Sequence, residues 1–249
     1  GTRFAVAVAN GTAALHAACA VAGLSPGDEA ITTPLTFVAT ANAVVYCGAK
    51  PVLADIRSDT LNIDPKEIIS KITPNTKAIL PVDFGGLPSD MTEILDIAKQ
   101  YNLIVISDGA HSLGAKYKGR PAASLSDMTI LSFHPVKHIT TGEGGMILTN
   151  SPHYYEAIKI LRHHGMIRNP QQFQRNDGPW YHEIGSLGYN FRITDIQCAL
   201  GLSQLRKLDY FVQRRRDIAA QYSKVFSQFP EIRLPTEPKE FESSYHIYT

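Results

Sequence analysis

Several features that commonly identify a protein class are scarce in this sequence of 249 residues. Cysteine occurs three times, at Cys19, Cys47 and Cys198, without a CxxC pair. An odd number of widely spaced cysteines does not suit a disulfide-stabilised secreted domain or a cysteine-rich zinc module. We therefore interpret the three as small core residues of a protein in a reducing, cytoplasmic compartment.

Long apolar runs and blocks of one charge are also scarce. No apolar stretch approaches the roughly 18 residues of a membrane span, and no charged start precedes an apolar stretch and a cleavage site. Lys and Arg number 24 against 23 Asp and Glu, which gives a formal net charge of +1. We therefore expect neither nucleic acid nor a membrane as a partner.

The motifs of several enzyme classes are missing as well. The sequence has no GxGxxG after its first strand-like segment and no GxxxxGK[ST], which argues against dinucleotide and NTP binding. Its one GxSxG match, Gly23 to Gly27, follows a helix-like segment and precedes a strand-like one, which is the reverse of the strand-to-helix turn that carries a serine nucleophile. His134 and His138 have the i, i+4 spacing of a helical metal pair, but Pro135 lies between them and HExxH is absent. We predict no metal site.

Strand-like and helix-like segments alternate along most of the chain, and 44% of the residues are hydrophobic. This pattern predicts an α/β fold with a mixed, mostly parallel sheet flanked by helices. The polar stretch from Asn169 to Gly185 predicts a long loop, and helical periodicity from Ile193 onward predicts a long helix that leaves the sheet domain. Tyr245 to Thr249 resembles the start of a strand, so we expect the chain to be part of a longer protein.

Lys137 is the most informative residue, because it follows a segment that is predicted to be a strand. Met128 to Phe133 is apolar and β-branched, and Pro135 and the glycines of Thr140 to Gly145 come after it. Ligands of open α/β sheets bind at the carboxyl ends of strands, where a partly desolvated lysine can lose its proton and attack a carbonyl. The alternative is a solvated surface lysine.

Asp108 and His111 follow a second apolar strand, Leu103 to Ser107. A carboxylate at the end of this strand can keep the nitrogen of a pyridine ring protonated, so that the ring accepts electrons. His111 would pack against such a ring or orient the carboxylate. The alternatives are a helix cap or turn for Asp108 and a core position for His111.

Two further segments suggest an anion site and a ring site. Asn10 to Ala14 predicts a strand-to-helix turn whose free N–H groups bind an anion, with Thr12 adding a hydroxyl. Ser132, at the end of the strand before the lysine, would give a second phosphate contact. Phe37 lies at another strand-to-helix junction, where it stacks on a flat cofactor or belongs to the core.

At these residues the chain resembles the DegT/DnrJ/StrS family of sugar aminotransferases, fold-type I enzymes that use pyridoxal 5'-phosphate (PLP). The resemblance is carried by the segments NGTAAL, TTPLTFVATAN, SDGAHSLG, SFHPVKHITTGEGG, HHGM and GYNFRITDIQCALGLSQL. It implies a large PLP-binding domain over residues 1–206, then a linking helix and the start of a small C-terminal domain over 207–249. Relative to the family, an N-terminal arm and most of the small domain are expected to be missing.

The resemblance also implies a role for the residues around the cofactor ring. Lys137 would be the Schiff-base residue and Asp108 the partner of the pyridine nitrogen. Phe37 would stack on the ring, with His111 beside it.

The phosphate contacts follow from the same resemblance. Thr12, Ala13 and Ser132 would hold the cofactor phosphate of their own subunit. Asn190 would reach the cofactor phosphate of a neighbouring subunit, which implies a homodimer with shared active sites.

The resemblance implies a reaction as well. Within the family, the chain is most similar to the branch that transfers the amino group of L-glutamate to the C4 keto group of a UDP-4-keto-6-deoxy-N-acetylhexosamine, as in pseudaminic acid biosynthesis. His111 and the segments SFHPVK, HHGM and LGLSQLRKLD carry this assignment. The alternatives are a UDP-4-keto-pentose or a dTDP-4-keto-6-deoxyhexose as substrate, or a non-catalytic PLP-binding regulatory protein. A related sugar dehydratase has histidine in place of the lysine, so Lys137 argues against that activity.

Overall fold

The structure is a computed structural model that describes residues 1–175 and 177–249. Its strands are β1 (Phe4–Val8), β2 (Glu29–Thr32), β3 (Lys50–Leu53), β4 (Thr76–Ile79), β5 (Ile104–Asp108), β6 (Lys116–Tyr117), β7 (Arg120–Pro121), β8 (Met128–Ser132), β9 (Gly145–Thr149), β10 (Met166–Ile167), β11 (Glu183–Ile184) and β12 (Phe241–Glu242). Its helices are α1 (Gly11–Val21), α2 (Ala39–Tyr46), α3 (Pro65–Lys71), α4 (Met91–Tyr101), α5 (Pro152–Leu161), α6 (Asp195–Leu205) and α7 (Leu208–Phe226).

Residues that favour helix starts explain where several of these helices begin. Asp64 and Ser151 cap α3 and α5 with their side chains, and a proline occupies the first helical turn of each, where its missing N–H costs no hydrogen bond. Thr194 forms a capping box with Gln197 at the start of α6. The local sequence therefore favours these starting points through side-chain caps.

The main sheet has seven strands in the order β1-β9-β8-β5-β4-β2-β3. Neighbours from β8 through β3 are parallel, whereas β9 is antiparallel to both β1 and β8. Because β9 reverses direction against both of its neighbours, β1 points the same way as β8. The predicted mixed, mostly parallel sheet is confirmed.

Helices cover both faces of this sheet. In β5, Ile106 packs into the cluster that contains residues of α1, α2 and α5, while the adjacent Val105 faces the opposite side and packs with α3 and α4. In β8, Leu131 packs against Phe211 of α7. Successive side chains of a strand point to opposite faces, so α1, α2 and α5 form one outer layer and α3, α4 and α7 form the other.

The carboxyl ends of β1, β2, β5 and β8 lie at one edge of the sheet, since these strands share a direction. The turn at Asn10, the segment from Thr33 to Phe37, Asp108, and the loop that begins after Ser132 follow these ends. This topology explains why segments that are far apart in the sequence meet in one place.

The part of the chain after residue 193 differs from the prediction of one long helix. Helices α6 and α7 are separated at Arg206 and Lys207, so the expected domain boundary after residue 206 falls at a helix junction. The domain division itself stays a prediction. Within the predicted loop from Asn169 to Gly185, β11 pairs with β10, and position 176 lies outside the described residues.

The prediction that Tyr245 to Thr249 starts a strand is wrong. Tyr245 has a φ of 46°, which an extended strand does not allow. The segment instead makes single backbone hydrogen bonds, from Ser244 N to Gly86 O and from Ile247 N to Gly85 O. The nearby strand is β12, which pairs with β6.

Within the described part of the chain, no helix combines the length and apolar character needed to span a membrane.

Candidate active site

A cavity of about 340 Å³ opens at the carboxyl edge of the sheet. Six predicted site residues line it: Thr12, Phe37, Asp108, His111, Ser132 and Lys137. The structure thus brings residues from four separate strand ends around one space, as a shared ligand site requires.

One end of the cavity is formed by the start of helix α1. Asn10 caps the helix, and its Oδ1 accepts a hydrogen bond of 2.8 Å from Ala13 N. The N–H groups of Gly11 and Thr12 find no partner among the described residues, as the first N–H groups of a helix commonly do not. A Cβ at Gly11 would lie 3.1 Å from Ser132 Cβ, so this turn and the end of β8 are in close contact. Backbone N–H groups and two hydroxyls therefore surround a small space that suits an anion.

Asp108 occupies the deep part of the cavity, where it is 5% exposed. Its Oδ2 accepts a hydrogen bond of 2.7 Å from Thr40 Oγ1, and its Oδ1 accepts one of 3.1 Å from Ala110 N. Burial raises the pKa of Asp108, while these hydrogen bonds and the charge of Lys137 act in the opposite direction. The helix-cap alternative is wrong, because Asp108 caps no helix. The turn alternative holds beside the cavity-lining role, because the bond from Ala110 N, two residues further on, is a turn contact.

Thr40 is a site residue that the sequence did not reveal. Its hydroxyl lies 2.7 Å from the Asp108 carboxylate and 2.8 Å from the Thr36 hydroxyl. Since a carboxylate only accepts, Thr40 donates to Asp108 and Thr36 donates to Thr40. A short chain of hydroxyls thus orients the carboxylate from behind.

Lys137 lies on the loop after β8 and is half-buried. Its N–H donates to His134 O at 2.9 Å, which turns the chain so that the side chain lines the cavity. Burial lowers the pKa of Lys137, and the Asp108 carboxylate partly offsets this effect. A lysine with a lowered pKa is a better nucleophile and proton acceptor at neutral pH, so the alternative of a solvated surface lysine is wrong.

Two histidine rings lie next to this lysine. Burial lowers the pKa of His111 to about 3, so it is neutral at pH 7. The His111 ring centroid is 4.3 Å from that of His246, and His246 Nε2 lies 3.5 Å from Lys137 Nζ. His246 is separated from Lys137 by 109 positions, and no local motif of the sequence pointed to it.

No group of three or more His, Cys, Asp or Glu side chains in residues 1–175 and 177–249 is arranged to hold a metal ion.

Phe37, Ala13 and Asn190 differ in how they relate to the cavity. Phe37 lines it and is 71% exposed, so the alternative of a core phenylalanine is wrong. Ala13 is buried with its N–H bound to Asn10, and Asn190 is exposed and forms a bridge with His163. Ala13 and Asn190 are not among the described residues that line the cavity, and their phosphate contacts stay predictions.

Two curated relatives are similar to this chain over all of its length. It is 43% identical over 248 residues to the spore coat polysaccharide biosynthesis protein SpsC of Bacillus subtilis. It is 40% identical over 254 residues to a UDP-4-amino-4,6-dideoxy-N-acetyl-beta-L-altrosamine transaminase of Campylobacter jejuni. In both comparisons the chain spans 64% of the length of the relative.

Solved structures agree with these relatives. The PLP form of Spr1654 from Streptococcus pneumoniae superposes with a TM-score of 0.89 at 33% identity, covering 99% of this chain and 66% of the other. PseC of Helicobacter pylori, an aminotransferase of pseudaminic acid biosynthesis, gives a TM-score of 0.87 at 34% identity, covering 100% of this chain and 65% of the other. The fold is therefore that of the PLP-dependent aminotransferases, as the resemblance implied.

The sequence matches the same family over its whole length, from residue 1 to residue 249. The chain belongs to the DegT/DnrJ/EryC1/StrS aminotransferase family.

Proposed function

We propose that the protein is a PLP-dependent aminotransferase that moves the amino group of L-glutamate to the C4 keto group of a UDP-4-keto-6-deoxy-N-acetylhexosamine. The observation that carries the proposal is that Lys137, with its lowered pKa, and the buried Asp108 carboxylate line one cavity. The choice of sugar is supported by the 40% identity to a transaminase of that sugar class.

The residues of the cavity fit a flat, phosphorylated pyridine. Gly11, Thr12 and Ser132 offer N–H groups and hydroxyls to a phosphate at one end. Asp108 keeps lone pairs free for a protonated ring nitrogen at the other end, because its two hydrogen bonds leave acceptor capacity on both oxygens. Phe37 exposes an aromatic face beside this space.

The chemistry divides between the cofactor and the protein. When bound, PLP supplies an aldehyde and a pyridinium ring that takes up electrons as a C–H bond beside the amine breaks. Asp108 keeps the ring nitrogen protonated through its oriented carboxylate. Lys137 Nζ takes the proton from Cα of glutamate and later gives a proton to C4 of the sugar.

We further propose that the protein is a homodimer. In the described structure none of the residues of helix α6 is buried, although Ile196 and Leu200, which lie one turn apart on the same face, are apolar and are 85% and 41% exposed. A helix with a capped start and an apolar, uncovered face is typical of a subunit interface. A second copy of the chain fits, because Asn190 just before this helix is predicted to reach a neighbouring cofactor.

We also propose a cytoplasmic location. All three cysteines are free, and Cys19 is buried, where burial raises the pKa of its thiol and keeps it unreactive.

The cofactor is tested by adding PLP to the purified protein. We expect a visible absorbance band that glutamate bleaches, and borohydride reduction followed by mass spectrometry should find the added mass on the peptide that contains Lys137. Lys137→Ala should lose the band and the label, whereas Lys99→Ala, at an exposed lysine far along the chain, should keep both. A colourless protein that takes up no PLP would refute the proposal.

The substrate is tested by incubating the protein with L-glutamate and a panel of nucleotide 4-keto sugars. Mass spectrometry should detect the amino sugar from the UDP-4-keto-6-deoxy-N-acetylhexosamine. Amination of a UDP-4-keto-pentose or a dTDP-4-keto-6-deoxyhexose instead would overturn the sugar assignment and leave the aminotransferase assignment intact.

A further inference from the structure

Three imidazole rings, of His111, His138 and His246, form a partly buried cluster beside Lys137. The ring centroid of His246 is 4.3 Å from that of His111 and 5.5 Å from that of His138. The Nδ1 atom of each of these histidines is buried and has no hydrogen-bond partner among the described residues. The proposed reaction assigns no task to His246, although its Nε2 lies 3.5 Å from Lys137 Nζ.

The backbone around His246 is held in a fixed position. Ser244 N and Ile247 N donate to the carbonyls of Gly86 and Gly85, and Arg215 Nη1 donates to His246 O at 3.1 Å. Tyr245, the preceding residue, has a φ of 46°. A non-glycine residue in this region persists when the surrounding contacts determine it, and such residues cluster at functional sites. These backbone contacts therefore hold His246 next to the lysine.

His138 forms a hydrogen bond with this segment and not with the lysine. Its Nε2 lies 3.1 Å from Ser244 O, and since a carbonyl only accepts, Nε2 carries the proton. Burial lowers the pKa of His138 to about 4, so the ring is neutral at pH 7. Its donor is thus committed to the backbone of the segment.

His246 is neutral as well and can accept a hydrogen bond. Burial lowers the pKa of His246, and the nearby His111, Lys137, His138 and Arg215 lower it further. A neutral imidazole has one nitrogen that accepts. Nε2 is the nitrogen that faces Lys137 Nζ, which only donates when it carries a positive charge.

We propose that His246 is a positioning residue for Lys137, whose amine donates a hydrogen bond to His246 Nε2. The bond fixes the direction of Nζ and stabilises the lysine while it holds a proton. The distance of 3.5 Å is at the upper limit for such a bond, as is common before substrate tightens a site. The role in proton transfer rests on the proposed function, whereas the hydrogen bond does not.

The experiment measures the pKa of Lys137 in the protein without PLP. Amine acetylation by acetic anhydride is followed from pH 6 to 11 by mass spectrometry, with the exposed Lys99 as internal standard. The titratable groups that interact with the lysine are Asp108, His111 and His138, and Arg215 interacts with His246; all four are unchanged in all variants. A hydrogen bond to a charged group is worth about one pKa unit or more.

His246→Leu keeps much of the bulk and removes the acceptor, so we expect the pKa of Lys137 to fall by about one unit. His246→Gln supplies an amide oxygen and should keep the wild-type value. An unchanged pKa in His246→Leu would overturn the proposal, because His246 would then only fill space. If the pKa of Lys137 rises in His246→Ala and does not change in His246→Leu, His246 likewise only fills space and the proposal is overturned.

Thermal unfolding monitored by circular dichroism establishes that each variant is folded, and His246→Phe replaces His246→Leu if the latter is not. Because PLP is left out, failure of the protein to bind PLP would refute the proposed function without affecting this measurement. For the enzyme with PLP, we expect His246→Leu to lower kcat with little change in KM, and His246→Gln to restore it.

Discussion

Gly86→Ala should displace the segment that carries His246. Gly86 has a φ of 104°, and an added Cβ would lie 2.7 Å from Ser244 Oγ and 2.9 Å from the backbone nitrogens of Tyr245 and His246. Backbone atoms at that distance must move. A left-handed backbone costs a non-glycine residue about 1–2 kcal/mol, and overpacking costs about 1–3 kcal/mol more. We therefore expect a loss of about 2–5 kcal/mol in the free energy of unfolding.

Gly119→Ala is the matched control for this prediction. Gly119 has a φ of 73°, and a Cβ there would meet nothing within 4 Å, so the substitution adds the backbone cost without the contact. Urea unfolding gives the loss of stability of each variant. The difference between the two losses is the cost of the steric contact at Gly86, which we expect to be about 1–3 kcal/mol. In Gly86→Ala the pKa of Lys137, measured by acetylation, should fall as it does in His246→Leu. In Gly119→Ala it should keep the wild-type value. Equal losses of stability in the two variants would refute the reasoning, because the segment would then yield to the methyl group at no cost.

Three further predictions concern other parts of the molecule. Thr40→Val removes the donor to the Asp108 carboxylate and should weaken PLP binding about tenfold in an absorbance titration; unchanged affinity would show that the hydroxyl does not matter. Burial raises the pKa of Asp83 from 3.8 to about 6, so the stability that this group contributes is highest below pH 4 and falls as the pH rises to 6. As the pH is raised from 4 to 7, the free energy of unfolding of Asp83→Asn should therefore increase by up to about 3 kcal/mol relative to that of the wild type. If urea unfolding gives the same difference between the two proteins at pH 4 and at pH 7, the prediction is wrong. Ile196→Glu should turn the proposed dimer into a monomer in sedimentation velocity, whereas Ile69→Glu, at a position 48% exposed on α3, should not; a dimer that survives Ile196→Glu would rule out α6 as the interface.

The sequence was sufficient to locate Asp108 and Lys137 because both depend on local signals. Each follows a short apolar strand, and the carboxyl ends of parallel strands meet at one edge whatever the details of packing. The same logic placed Thr12 and Ser132 beside each other, which the close approach of Gly11 to Ser132 supports. Alternation of strands and helices was enough to predict the sheet.

Contacts set by tertiary structure could not be predicted in this way. Thr40 reads as an ordinary helix residue, and only the approach of α2 to β5 brings its hydroxyl to a carboxylate 68 positions away. Tyr245 and His246 have the aromatic and β-branched neighbours of a strand. The segment instead forms hydrogen bonds with the carbonyls of Gly85 and Gly86, and nothing in its own sequence indicates these contacts.

The electrostatics of the cavity favour a lysine that takes up a proton and gives it back. Burial favours the free amine of Lys137, while the Asp108 carboxylate favours the ammonium, so the two effects oppose each other at one nitrogen. Neutral histidines are needed for this balance, because a charged ring beside Nζ would drive the proton away. The low pKa of His111, about 3, and of His138, about 4, keep both rings uncharged at neutral pH. A neutral ring can still accept a hydrogen bond, which lets His246 hold the ammonium in place without adding the charge that would abolish it.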